Sequence, residues 1–201
     1  MFKGDNMSET EFTTKEKIIN KTIELMKKEK DFEKITMRNI AQKADVAVSM
    51  LNYHFQSKEN LINKAVEAHI GDVIRSSENR HSNMELTPEQ RLRSGINAAA
   101  DFIANNPGVS RVSILSDLKK GRVDDNSSHI FQSIYSQLKE YFKDQKDEVT
   151  LKILAQQQLA ALQEIFLRSE VFKKQTGLDF FVKKDRRMIT KKIVNNILNE
   201  S

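Results

Sequence analysis

The sequence contains no cysteine, only two prolines and six glycines, and no long apolar run. Without cysteine there are no disulfide frameworks, thiolate zinc sites or cysteine nucleophiles. Scarce proline and glycine argue against a turn-rich β-sandwich and for long helices with few breaks. The most apolar stretch, near residues 96–104, is interrupted by Asn97 and Asp101 and falls short of the roughly 20 apolar residues of a membrane span. The opening residues, MFKGDNMSETEF, lack the apolar stretch of a secretory signal. These absences point to a soluble, cytoplasmic protein with no membrane partner, whose residues 1–12 read as a flexible arm.

What is present is a globular balance: 201 residues, 38% hydrophobic and 30% charged. The net charge of +5 is unevenly placed, because residues 171–201 carry eight of the 33 Lys/Arg but only three of the 28 Asp/Glu. Bulk basicity is therefore poor evidence for nucleic-acid binding. The C-terminal cations Lys173, Lys174, Lys183, Lys184, Arg186, Arg187, Lys191 and Lys192 can bind phosphate, but their simplest reading is a solvated helix face.

Helical periodicity and capping signals run through the whole chain. Thr13-x-x-Glu16 reads as a capping box opening a helix to about Lys30. Thr36 caps a short helix, MRNIAQKA, and Val48 to about Phe55 forms another. Ser57 caps a long helix whose apolar stripe is Leu61, Ile62, Ala65, Val66, His69, Ile70, Val73 and Ile74, with a polar loop expected over 76–86. Thr87-Pro88-Glu89-Gln90 is a strong helix start, and Asn106-Pro107-Gly108 separates that helix from the next, expected to reach about Leu118. Lys119–Ser127 reads as a loop. Further helices are expected over 128–143, 148–172 and 178–199. The fold class is all-α with about nine helices: a helix-turn-helix domain over 13–60 and a larger helical domain over 61–201.

The stretch TMRNIAQKADVAVSMLNYHFQSKENL, residues 36–61, carries the functional signal. Two short helices joined by a tight turn form a helix-turn-helix, whose second helix enters the DNA major groove. Ala41 and Ala44 are small where the helices approach, Val46 is apolar in the turn, and Leu51 and Phe55 anchor the second helix. Val48, Ser49, Met50, Asn52 and Tyr53 remain for the outer face. Lys58, in the first turn of the next helix, can pair with a phosphate that the helix N-terminus also attracts.

These residues resemble the TetR-type transcriptional regulators. That family's motif joins a small-residue helix, a Gly-Val-Ser turn and Leu-Tyr-x-(Tyr/His)-Phe-x-x-Lys-Glu-x-Leu. Leu51, Tyr53, His54, Phe55, Lys58, Glu59 and Leu61 match it here, as do Thr36, Ile40, Ala41, Ala44 and Val46. Two positions depart from it. Asp45 replaces the turn glycine, and aspartate tolerates left-handed backbone better than most residues. Ala47 replaces the serine that caps the recognition helix, a loss typically costing about 1 kcal/mol.

The resemblance implies phosphate contacts from Thr36, Tyr53, His54 and Lys58, with Asn52 standing where an aromatic often touches the backbone. It implies base-facing positions at Val48, Ser49 and Met50, and contributions from Met37 or Arg38. With no Arg or Gln on the recognition helix, discrimination would rest on thymine methyl groups and DNA shape. It further implies a homodimer formed through the last two helices on a palindromic double-stranded operator, with repression the commoner mode. The α-helical stripes Leu151, Leu154, Gln158, Leu162, Ile165, Ser169 and Val182, Ile189, Ile193, Ile197 are the candidates for that pairing.

A small-molecule effector pocket is implied in the larger domain. Candidate lining residues are Phe102, Ile103, Ile114, Leu115, Phe131, Tyr135, Leu138, Gln158, Leu162 and Phe166, a set suited to an apolar or amphipathic ligand. Ligand binding would tilt the helix beginning at Ser57, with Gly71 a weak point within it.

Catalysis has no motif to support it. His54, His69, His81 and His129 lack metal-ligand spacing, and no G-x-S-x-G, GxGxxG or phosphate loop occurs. No cofactor, metal or enzymatic activity is expected. The competing reading is a helical ligand- or partner-binding protein that does not regulate transcription and uses its basic C-terminal helix.

Overall fold

Local capping chemistry sets most of the helix limits in the computed structural model, which describes residues 9–28, 34–81 and 86–198. Ten α-helices and no strand occur among these residues. In chain order they are α1 (Glu9–Lys28), α2 (Met37–Ala44), α3 (Val48–Phe55), α4 (Lys58–His81), α5 (Pro88–Asn105), α6 (Pro107–Lys120), α7 (Asn126–Phe142), α8 (Glu148–Leu167), α9 (Ser169–Thr176) and α10 (Lys183–Leu198). A 3-10 turn, Lys143–Gln145, follows α7. No helix among the described residues is long and apolar enough to cross a membrane.

The chain divides into two units, Met1–Asn79 and Arg80–Ser201, so α4 carries the chain from one to the other. In the first unit the core is built from Ile18, Ile23 and Met26 of α1, Ile40, Ala41 and Ala44 of α2, Leu51 and Phe55 of α3, and Leu61, Ile62, Ala65 and Val66 of α4, all buried. The expected stripe of α4 is therefore present as far as His69; the side chains of Val73 and Ile74 lie outside the described residues.

The second unit has two apolar clusters. One joins Leu92 and Ile96 of α5, Ile134, Leu138 and Phe142 of α7, Leu151, Leu154, Ala155 and Leu159 of α8, and Val194, Ile197 and Leu198 of α10. The other joins Ala100 and Ile103 of α5, Ile114 of α6, Leu162 and Phe166 of α8, Phe180, and Ile189 of α10.

Several helix limits differ from expectation for identifiable reasons. α1 begins at Glu9, so Thr13 lies inside the helix and is not its cap; most of the expected arm lies outside the described residues. α4 continues through the polar segment 76–81 to His81, since no proline interrupts it; residues 82–85 of the expected loop are outside the described residues. α6 runs to Lys120 and ends on left-handed Gly121 (φ 58°), which shortens the loop after it. The expected helix over 148–172 is broken at Arg168, whose backbone (φ −116°, ψ 34°) separates α8 from α9. α10 starts at Lys183 rather than 178. Residues 178–182 form a turn instead, in which Asp179 accepts from the amide of Phe181 and the buried Arg186 donates to the carbonyl oxygens of Phe180 and Phe181.

Candidate DNA interface

The helix-turn-helix is held by hydrogen bonds at each corner. Thr36 Oγ1 accepts from the amide of Asn39 (3.1 Å), and Asn39 Oδ1 accepts from the amide of Thr36 (3.1 Å), a reciprocal capping box at the start of α2. The Thr36 hydroxyl also donates to Asn39 Oδ1. Asn39 was not singled out in the sequence because the usual partner at that position is Glu or Gln.

α2 ends on Asp45 at φ 52°, ψ 56°. The amide of Asp45 donates to Gln42 (3.3 Å) and that of Val46 to Ala41 (3.0 Å), the paired bonds of a Schellman turn. An aspartate therefore occupies the left-handed position where glycine is usual. Ala47 precedes α3 with extended backbone and makes no side-chain capping bond. Gln56 (φ 64°) ends α3, and Ser57 Oγ accepts from the amide of Asn60 (3.1 Å) to cap α4.

Leu51 and Phe55 turn inward, at 0% and 4% exposure. The other side of α3 is open: Val48, Ser49, Asn52 and Tyr53 are exposed, Tyr53 by 69%, while Met50 and His54 are half-buried. His54 lies edge-on to Tyr53 (5.0 Å between ring centroids) and to Phe55 (6.1 Å), with Nε2 covered and without a hydrogen-bond partner. Thr36 and Arg38 are exposed, and Met37 and Lys58 half-buried. The ten positions read from the sequence thus occur at the cap of α2 and on it, on α3 and at the start of α4, and none is in the buried core.

The ten residues read as a ligand pocket do not form one group. Phe131, Tyr135 and Leu138 belong to the α7-containing cluster; Phe102, Ile103, Ile114, Leu162 and Phe166 belong to the other. Leu115 is set apart from both, 44% exposed. Gln158 is 1% exposed, and neither its Nε2 nor its Oε1 has a hydrogen-bond partner. Neither a groove of about 650 Å³ along α1 nor a cavity of about 320 Å³ between α5 and α10 is lined by any of the ten.

Part of each stripe read as a subunit contact needs correction. Leu151, Leu154, Gln158 and Leu162 of α8, and Ile189 and Ile197 of α10, are buried within the subunit itself. From α8 onward the exposed large apolar side chains are Val149 and Ile153 of α8, Val171 of α9, and Phe181, Val182 and Met188.

Comparison with known proteins agrees with this architecture. Residues 18–65 match the family model described as bacterial regulatory proteins, tetR family. No curated protein matches the chain. A TetR-like transcriptional regulator from Rhodococcus sp. RHA1 is similar in structure over 94% of this chain and 97% of its own, with a TM-score of 0.65 at 13% identity. A second TetR transcriptional regulator from the same source covers 95% of this chain and 100% of its own, with a TM-score of 0.54 at 16% identity. A gamma-butyrolactone receptor described as ArpA-like covers 93% of this chain and 98% of its own, with a TM-score of 0.51 at 14% identity. Residues 18–65 carry the N-terminal domain of the tetR family of bacterial regulatory proteins, on a chain with the all-helical fold of TetR-like transcriptional regulators.

Proposed function

We propose that this protein is a cytoplasmic, ligand-responsive repressor that binds a palindromic operator as a dimer and is released by a small, largely apolar molecule. The observation that carries the reading is α3 itself. It is anchored by Leu51 and Phe55 and presents Val48, Ser49, Asn52 and Tyr53 outward, next to a turn closed by left-handed Asp45. An exposed face on the second helix of such a motif is what major-groove entry requires.

In this reading Thr36, Tyr53, His54 and Lys58 bind phosphates and set register, with Asn52 beside them. Val48, Ser49 and Met50 meet base edges, assisted by Met37 or Arg38. Dimerisation through the α8 and α10 region is supported by Val149, Ile153 and Met188, apolar side chains exposed in the single subunit. A two-fold pair would read two half-sites about one helical turn of DNA apart, on the order of 34 Å.

Two observations support an effector in the larger unit. Gln158 has a buried amide whose two polar atoms lack partners, which a ligand can satisfy. The structural similarity to a gamma-butyrolactone receptor favours a small amphipathic effector. Release would follow from a shift of α4 between populations that space the recognition helices differently.

Capture of fragments of the host chromosome by the full-length protein tests the reading. Enrichment of a small number of fragments sharing a two-fold symmetric sequence is expected. Retention of all fragments equally would contradict it.

A further inference from the structure

We infer that the cavity between α5 and α10 is a binding site for a small-molecule phosphate monoester, separate from the effector reading above and from the DNA face. The cavity, about 320 Å³, is lined by Arg93, Asn97, Arg187, Thr190, Lys191 and Val194. That volume lies at the lower end of the range for ligand pockets. Its lining contains three cations and no carboxylate.

Its polar groups are held in place by neighbours. Asn97 Oδ1 accepts from Arg187 Nη1 (3.1 Å) and from the Thr190 hydroxyl (2.7 Å). Arg187 can only donate, so the amide oxygen faces it and Nδ2 is left as a donor. No acceptor for that Nδ2 occurs among the described residues. Arg187 also donates to Asp101, and Arg186, only 4% exposed, donates to the other oxygen of the same carboxylate (2.9 Å). Asp101 thus braces the two arginines without lining the cavity. Arg93 is steadied by Glu89 one turn earlier (2.8 Å), and Lys191 has no carboxylate partner among the described residues.

The charge balance selects the ligand class. The lining cations Arg93, Arg187 and Lys191, with Arg186 bracing from behind, outnumber the carboxylates paired to them, Glu89 and Asp101, by two. A phosphate monoester carries close to two negative charges at neutral pH and offers three acceptor oxygens to the donors of Lys191, Arg93 and Asn97 at the cavity. Val194 and the aliphatic stems of Arg93 and Lys191 give the cavity an apolar portion for the group esterified to the phosphate. The basic C-terminal segment thereby has a use that its sequence alone did not show: Arg186 is buried and, through Asp101, braces the half-exposed Arg187 at the cavity.

Titration calorimetry of the full-length protein with phenyl phosphate, inorganic phosphate and benzoate tests this. Phenyl phosphate should bind once per chain, more tightly than inorganic phosphate or the monoanionic benzoate. Lys191→Gln and Arg93→Gln should each weaken it about tenfold or more, the loss expected for one charged hydrogen-bond partner. Lys174→Gln, on exposed α9, should leave it unchanged, and circular dichroism should show the three variants equally helical. No saturable binding to the wild type would overturn the proposal. So would equal losses in all three variants, no loss in any, or displacement of phenyl phosphate by duplex DNA of arbitrary sequence, which would mark a general polyanion surface.

Discussion

The amide of Val46 donates to the carbonyl oxygen of Ala41 at 3.0 Å, and this bond closes the turn between α2 and α3 around a left-handed aspartate. The angle at which α3 leaves the turn depends on Asp45 holding φ near 52°. A β-branched residue there would meet the full left-handed penalty of about 1–2 kcal/mol. Asp45→Val is expected to lose about that much stability, and Asp45→Gly to be neutral or slightly stabilised. Urea midpoints at unchanged slope measure both.

Ala47 leaves the amides at the start of α3 without a side-chain acceptor. Ala47→Ser supplies one and should stabilise the protein by about 1 kcal/mol. For a chain of this size that corresponds to a rise of roughly 2–4 °C in melting temperature. A lower melting temperature in the variant would show that the extended backbone at Ala47 does not present its side chain as a cap.

Gln158 can be examined by removing its polarity. Its side chain is buried and both amide atoms lack partners. Gln158→Leu keeps most of the volume and removes the desolvated amide, so a gain of about 1–2 kcal/mol is expected. The same change should abolish release from DNA by the effector. Stability gained with release intact would place the effector elsewhere.

The Asp101 carboxylate gives a pH signature. Burial raises its pKa, but hydrogen bonds from Arg187 and Arg186 outweigh burial and leave it below the usual carboxylate range. A depressed folded-state pKa adds stability that is present above the unfolded value, about 3.9, and is lost as pH falls through the folded value. Asp101→Asn strands the buried Arg186 and should cost on the order of 2–3 kcal/mol at pH 7, discounted from a fully buried pair because Arg187 is partly exposed. The difference from wild type should shrink below about pH 4. A difference independent of pH would mean that the carboxylate charge is not what holds the arginines.

The parts of the fold legible in the sequence were those set by local chemistry. Thr36, Ser57 and Thr87 announced the starts of α2, α4 and α5, and each makes the capping bond its position implied. The limits of α3 followed from Val48 and Phe55. Breaks fixed by tertiary contacts were not legible. Nothing in Ile165, Phe166, Val171 and Phe172 interrupts helical spacing at Arg168. Leu178 and Phe180 likewise read as the start of a helix, although Phe180 is fully buried in a turn. The exposed side of α3 was legible because the helix-turn-helix motif is continuous in sequence. The α5–α10 cavity was not, because Asn97 and Arg187 are ninety residues apart and Arg186 reads as one cation in a solvated run.

On the proposed function, α3 and the first turn of α4 bind one defined, two-fold symmetric duplex. Selection from a random duplex pool at near-physiological salt, with wild type beside a Tyr53→Phe/Lys58→Ala double variant, addresses it most directly. The wild type should recover a palindromic site. The variant should bind that site about tenfold or more weakly, with a shallower dependence on salt, as expected when phosphate contacts are lost. No enriched sequence, or equal retention by both proteins, would contradict the account.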